Sequence, residues 1–284
     1  MTEFTQTDLP LLASRQFVAA HLHCGSCLPF HALWPYLRLT QWVGGIEADQ
    51  AQLVPALADL LGSRPRRVLI AGSADSGVTA LVRHASGDLA GRHDIILVDH
   101  CKTPLIAGRE FAAAHGLSLR TQCCDLRDID LVDAVDVVVG HSILPWLDAA
   151  GRKTVLRKLF DALAPGGRLV LTTRMAAPGQ RAGLRERPPE WANELKAGLL
   201  ARMAERSITR PGSDEDFDAL VRAYTPGDFT HPPYADVAAL QADIRDAGFV
   251  VDRWIETGKG VAYLANGQVK AAARQGILAI TREK

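Results

Sequence analysis

The sequence predicts an α/β protein organised around a mostly parallel sheet of seven strands. Three observations carry this expectation. Between Arg66 and Arg174, short apolar runs alternate with segments of helical periodicity, the pattern of strands joined by helical crossovers. The runs are continuously apolar, which suits strands covered on both faces. Two of them give way at once to a glycine, Gly72 and Gly140, where a strand must turn.

In chain order, residues 1–62 read as a helical N-terminal cap carrying Phe17, Phe30, Trp34, Tyr36 and Trp42. The run at 67–71 is the first strand and 76–84 the first crossover helix. Strand two is 94–99, followed by a helix over 104–115 and strand three at 117–122. Strand four is 135–139. A helix over 154–163 places Val155, Leu159 and Leu163 on one face and is stopped by Pro165-Gly166-Gly167. Strand five is 169–173. An insertion of about 175–235 is loop-rich and contains one amphipathic helix, 189–206, opened by a proline and striped by Trp191, Leu195, Leu199 and Met203. An acidic run, Asp214-Glu215-Asp216, follows it. Val237, Leu240 and Ile244 mark a helix ending at Gly248, and 249–255 and 276–281 are the last strands. The division is thus a cap at 1–62 and a main domain at 63–284.

Composition narrows the function. Lys and Arg total 32 against 32 Asp and Glu, so the net charge is zero and no general nucleic-acid binder is expected. A hydrophobic share of 48% and a charged share of 23% exclude disordered and collagenous classes. No apolar run approaches the roughly 20 residues that span a bilayer, so no membrane partner is expected. The opening MTEFTQTDLP is polar and acidic, unlike a secretory signal. Five cysteines, an odd number, read as reduced thiols in a cytoplasmic protein.

The chemistry concentrates at strand ends. Gly72-Ser73-Ala74-Asp75-Ser76-Gly77 is a small-residue turn between strand one and its helix, which lets backbone N–H groups approach a ligand. Asp99 closes strand two, 27 residues after Gly72, where an acid accepts hydrogen bonds from ribose hydroxyls. Asp125 lies just past strand three, within reach of an adenine amino group. Together they point to an adenosine-containing ligand.

The stretches Val68-Leu-Ile-Ala-Gly-Ser-Ala-Asp-Ser-Gly77, Val98-Asp99, Cys124-Asp125-Leu126, Val135-Asp-Val-Val-Val-Gly-His-Ser-Ile-Leu144 and Leu163-Ala-Pro-Gly-Gly-Arg-Leu-Val170 resemble the successive motifs of class I S-adenosylmethionine-dependent methyltransferases. The resemblance covers about residues 60–175. It implies a Rossmann-like three-layer sandwich whose last strand is antiparallel, with S-adenosylmethionine as cofactor. It also implies residue roles. Gly72 and Ser73 would line the methionine part, Asp99 the ribose, and His100, Asp125 and Leu126 the adenine. His141 and Ser142 would lie below the sulfonium. Arg38 would clamp the methionine carboxylate, under a lid of Trp34, Tyr36 and Trp42. His141 and Tyr36 are the catalytic candidates, with His231 and Tyr234 near the acceptor. The family usually carries an acid where this chain has Ile70, and Ala74 and Ser76 replace two further glycines.

The implied activity is methyl transfer to a small-molecule nucleophile. Two alternatives stand beside it: cyclisation of the cofactor itself with release of methylthioadenosine, as in azetidine-2-carboxylate synthases, and a non-catalytic binding or docking module. A nicotinamide-linked oxidoreductase fits less well, because it would carry a fuller glycine motif. His21, His23, Cys24, Cys27 and His31 are a dense set of potential ligands. Without a second Cys-x-x-Cys pair they read as helix packing, and no metal is expected. Oligomeric state is left open by the sequence.

Overall fold

The structure is a computed structural model that describes residues 9–43, 45–175, 190–224, 234–257, 262–263, 269–270 and 275–282. His231, Pro232-Pro233 and the first eight residues lie outside the described residues.

A helical pair, α1 (Leu9–His23) and α2 (Leu28–Leu39), precedes α3 (Gln50–Leu61). The core then runs β1 (Arg67–Ala71), α4 (Gly77–Ser86), β2 (Asp94–Asp99), α5 (Lys102–Ala114), β3 (Leu119–Cys123), β4 (Val135–His141), α6 (Ala149–Ala162) and β5 (Leu163–Arg174). Next come α7 (Trp191–Glu205), α8 (Asp214–Ala223), α9 (Val237–Asp246) and β6 (Phe249–Thr257). A short ladder of β7 (Ala262–Tyr263) with β8 (Val269–Lys270) stands apart from the main sheet, and β9 (Gln275–Arg282) completes it.

The main sheet has the order β3-β2-β1-β4-β5-β9-β6. Strands β1 to β5 are mutually parallel, and β9 runs antiparallel to both β5 and β6. Strand order reverses where β1 meets β4, and open α/β sheets bind ligands at the carboxyl edge of such a switch point.

Strands β1, β2, β4 and β5 bury both faces by alternation. Val68, Ile70, Ile95, Leu97, Val137, Val139 and Val170 face α3, α4 and α5. Leu69, Ala71, Ile96, Val98, Val138, Leu169 and Leu171 face α6 and α9. A third core joins α1 and α2 to α7 and α8 through Phe17, Leu33, Tyr36, Leu37, Leu195, Leu199, Met203 and Phe217.

Several elements differ from the sequence expectation. Helix α3 packs Leu53, Leu57 and Leu61 on the sheet, so it is a layer helix and not part of the cap. The cap is α1 and α2 closed by the two insertion helices. Helix α6 starts five residues earlier than periodicity suggests, because Asp148 caps it by accepting from the Gly151 N–H at 2.6 Å. The acidic run at 214–216 is the first turn of α8. Ser213 Oγ accepts from the Asp216 N–H there at 3.0 Å, and the three carboxylates complement the helix dipole. Among the described residues, no helix is long and apolar enough to cross a membrane.

Candidate active site at the strand tips

The registers bring the carboxyl ends of five parallel strands to one edge. Ala71 pairs with Val98 and with Gly140, Asp99 with Cys123, and His141 with Thr172. Gly72 therefore sits level with Asp99 and His141. Its backbone turns at φ +71°, and a Cβ there would stand 2.8 Å from Ile143 Cγ2, so only glycine fits. After β4 the chain turns again at Ser142, a non-glycine residue at φ +54°. Ser142 Oγ, Thr172 Oγ1 and Thr173 Oγ1 are buried at this edge with no hydrogen-bond partner among the described residues. Buried hydroxyls are rarely left that way, and a polar ligand over the edge would satisfy them.

Asp99 is 7% exposed and aimed by the backbone around it. Its Oδ2 accepts from the Ser73 N–H at 3.0 Å and its Oδ1 from the Cys101 N–H at 2.8 Å. Burial holds its carboxyl above the ordinary value, against the pull of those two donors. Leu126 approaches Gly72, where its Cδ1 would be 3.8 Å from a Cβ. The His100 side chain is 70% exposed, with Nδ1 3.6 Å from Asp99 Oδ1. Asp125 is engaged locally. It accepts from the Arg127 backbone at 2.8 Å and from its guanidinium at 2.6 and 2.9 Å, capping a short 3-10 turn.

Arg38 reaches the glycine loop from α2. Its guanidinium pairs with Asp75 of the loop and with Glu47. Burial opposes its charge, yet the two carboxylates hold it above its ordinary value. Asp75 also accepts from the Gly77 N–H at 2.7 Å, while Gln16 of α1 donates to the Ala74 carbonyl at 2.9 Å. A cleft between cap and loop is lined by Gln16, Pro35, Arg38, Glu47, Asp75 and Ser76. Two carboxylates on one guanidinium leave it with surplus negative charge.

His141 sits at the end of β4 with its side chain 14% exposed. Its Nε2 lies 3.1 Å from Oδ2 of Asp49, a carboxylate with no solvent exposure at the start of α3. Arg174, at the end of β5, feels the charges of Asp49 and Tyr224, while burial draws its guanidinium below the ordinary value. Sequence reasoning missed Asp49, Arg174 and the role of Asp75. Asp75 lay inside the quoted loop, and Arg174 two residues past Thr172. Asp49 is 92 residues from His141, and no spacing rule links them.

Other candidates lie elsewhere. Tyr36 is 1% exposed in the cap core, edge-on to Phe17 with centroids 6.4 Å apart, and burial raises its phenol. Trp42 lies against Gly198 and stacks beneath Arg202 at 5.0 Å. Trp34 packs on Phe30, which also meets Trp146 at 5.2 Å, so this wall faces the turn after β4. Tyr234 is a core residue that donates to Asp243 Oδ2 at 2.8 Å and lies under Arg152. The basic insertion helix is locally engaged: Lys196 pairs with Asp218, and Arg202 donates to the Thr40 and Gln41 carbonyls.

Comparisons with known proteins bear on the fold that holds this edge. Residues 71–167 match the family model of a methyltransferase domain. A carboxy-S-adenosyl-L-methionine synthase from Shewanella piezotolerans (strain WP3 / JCM 13877) is 30% identical over 83 residues. That match takes in 28% of this chain and 34% of the relative, so the chain spans about a third of that protein's length. The structure of the 1,6-didemethyltoxoflavin-N1-methyltransferase of Burkholderia thailandensis, bound to 1,6-didemethyltoxoflavin and S-adenosylhomocysteine, superposes with a TM-score of 0.53. It is 16% identical, covering 84% of this chain and 82% of its own. The mitomycin 7-O-methyltransferase superposes with a TM-score of 0.51 at 17% identity, covering 88% of this chain and 57% of its own. At these identities the structural likeness establishes the fold alone, and the family match covers about a third of the chain. Residues 71–167 thus carry a methyltransferase-domain match within an α/β, Rossmann-like fold.

Proposed function

We propose that the chain binds S-adenosylmethionine across the β1–β4 switch point and transfers its methyl group to a small-molecule nucleophile. One observation carries the reading: Gly72, Asp99 and the His141–Asp49 pair share one edge with three unpartnered buried hydroxyls. The residues present suit the cofactor. Asp99 keeps acceptor capacity for ribose hydroxyls, and Leu126 and His100 flank the place for adenine. Asp75 and Glu47 put negative charge beside the loop, where the family's usual acid is replaced by Ile70. Arg38, paired with those acids, holds the loop to the cap, and a carboxylate clamp would need it to exchange partners.

Bound S-adenosylmethionine supplies a methyl group made electrophilic by its sulfonium. The chain has to align the acceptor behind that methyl, and such positioning accounts for roughly 7–11 kcal/mol of barrier lowering. His141 removes the acceptor's proton when it arrives as a hydroxyl or ammonium, and Asp49, 3.1 Å from its Nε2, orients the ring. The cap and the insertion helices close over the edge and exclude water. The five cysteines are unbridged, which supports a reducing, cytoplasmic setting.

Mass spectrometry of the purified chain incubated with S-adenosylmethionine and a panel of small alcohols, amines and thiols tests the reading. The expected products are S-adenosylhomocysteine and a singly methylated acceptor, formed only when the acceptor is present. Methylthioadenosine from the cofactor alone would replace this reading with cyclisation. Binding without any product would leave a cofactor-binding module.

A further inference from the structure

Cys24 and Cys27 flank the turn between α1 and α2, and His31 follows one helical turn later. Cys101 arrives from the other side of the molecule, as the residue capping α5 just after β2. The four ligand atoms lie within 4.8 Å of one another. Cys24 Sγ is 3.3 Å from His31 Nδ1 and 3.5 Å from Cys101 Sγ, and Cys27 Sγ is 3.8 Å from Cys101 Sγ. Thiolates about 2.3 Å from a tetrahedral zinc stand about 3.8 Å apart along the tetrahedron's edges. We propose that Cys24, Cys27, His31 and Cys101 bind one zinc ion that fastens the helical cap to the sheet.

The donor set supports zinc. Three thiolates and an imidazole form a closed four-ligand shell, the mark of a structural site with no open position for substrate. His31 is 4% exposed and Cys101 5% exposed, so the cluster is set into the cap–core boundary. Thr103 Oγ1 lies 3.1 Å from Cys24 Sγ, and Gln16 donates to the His31 carbonyl at 3.0 Å, so neighbouring groups hold the ligands in place. The sequence hides the set because its fourth member lies 70 residues beyond His31. His21 and His23 do not join it; His21 instead contacts the Phe17 carbonyl and Asp216. The proposal does not rest on the proposed methyl transfer, although the Cys101 N–H also donates to Asp99.

The test uses the full chain purified under reducing conditions. Elemental analysis is expected to find one equivalent of zinc per chain. Replacement by cobalt should give an intense near-ultraviolet thiolate-to-cobalt band and the visible bands of a tetrahedral ion. Cys101→Ser should weaken cobalt binding by at least about tenfold, whereas Cys123→Ser should leave it unchanged. A chain without zinc that also gives no thiolate band overturns the proposal. So does full metal retention in Cys101→Ser, or a Cys24–Cys101 or Cys27–Cys101 disulfide in the intact mass. Should Cys101→Ser not fold, the cobalt spectrum of the unaltered chain still decides.

Discussion

The imidazole of His141 and the carboxylate of Asp49 are 3.1 Å apart in a pocket that water barely enters. In that setting the carboxylate holds the ring in one orientation. His141→Gln and Asp49→Asn should each lower kcat by roughly 10²–10⁴ for acceptors that arrive protonated. Cofactor affinity by calorimetry should fall far less than kcat in both. An acceptor that is already a thiolate should lose little, and equal losses for every acceptor would mean that the pair only shapes the pocket. At this scale the sequence was half legible. His141 was visible because it ends a strand that follows a recognisable pattern. Asp49 was not, because a carboxylate at a helix start looks like any other cap until the fold brings the two together. Asp125 shows the reverse: a plausible binding residue by position, engaged in capping its own turn.

Individual elements carry their own sensitivities. His93, just before β2, is 1% exposed, and its Nδ1 accepts the Arg66 N–H at 3.0 Å. Burial lowers its pKa, so the unfolded chain takes up a proton before the folded one does. Stability is therefore full above about pH 6.5 and falls as the pH drops through the lowered folded value. The melting temperature should decline with acidification over that window. His93→Asn, which keeps an acceptor for Arg66, should flatten the decline, and an unchanged slope would remove His93 as its source. In the cap, Leu199 of α7 is fully buried against α2 and α8. Leu199→Ala should cost about 2–5 kcal/mol of cap stability, read by chemical unfolding. Strands β1, β2, β4 and β5 were readable because both of their faces are apolar, whereas the edge strand β3 has no buried residue. Helix α8 was not, because its N-cap serine and acidic first turn open a helix of only ten residues and looked like a charged loop.

For the molecule as a whole, the sheet and its two helical layers form one body, and the cap is assembled from two segments far apart in sequence. The division at residue 62 placed α3 in the cap because helical periodicity says nothing about which surface a helix covers. Its apolar stripe of Leu53, Leu57 and Leu61 belongs to the sheet. Likewise, nothing in the order of the chain announced that the insertion helices α7 and α8 complete the cap. Because the cap has a separate core, amides in α1, α2, α7 and α8 should exchange with solvent faster than those of β1, β2 and β4. Ligand binding at the strand tips should narrow that difference. Uniform exchange across cap and sheet would show instead that they unfold as one unit.

The central claim is that the edge holding Gly72, Asp99 and His141 takes up a sulfonium nucleoside. Isothermal calorimetry with S-adenosylmethionine on the unaltered chain and on Asp99→Ala tests it directly. Binding one molecule per chain, weakened roughly 10- to 150-fold by the loss of hydrogen bonds to a charged group, is the expected result, with circular dichroism confirming that the variant is folded. No heat of binding in the unaltered chain, or equal affinity in both, would contradict it.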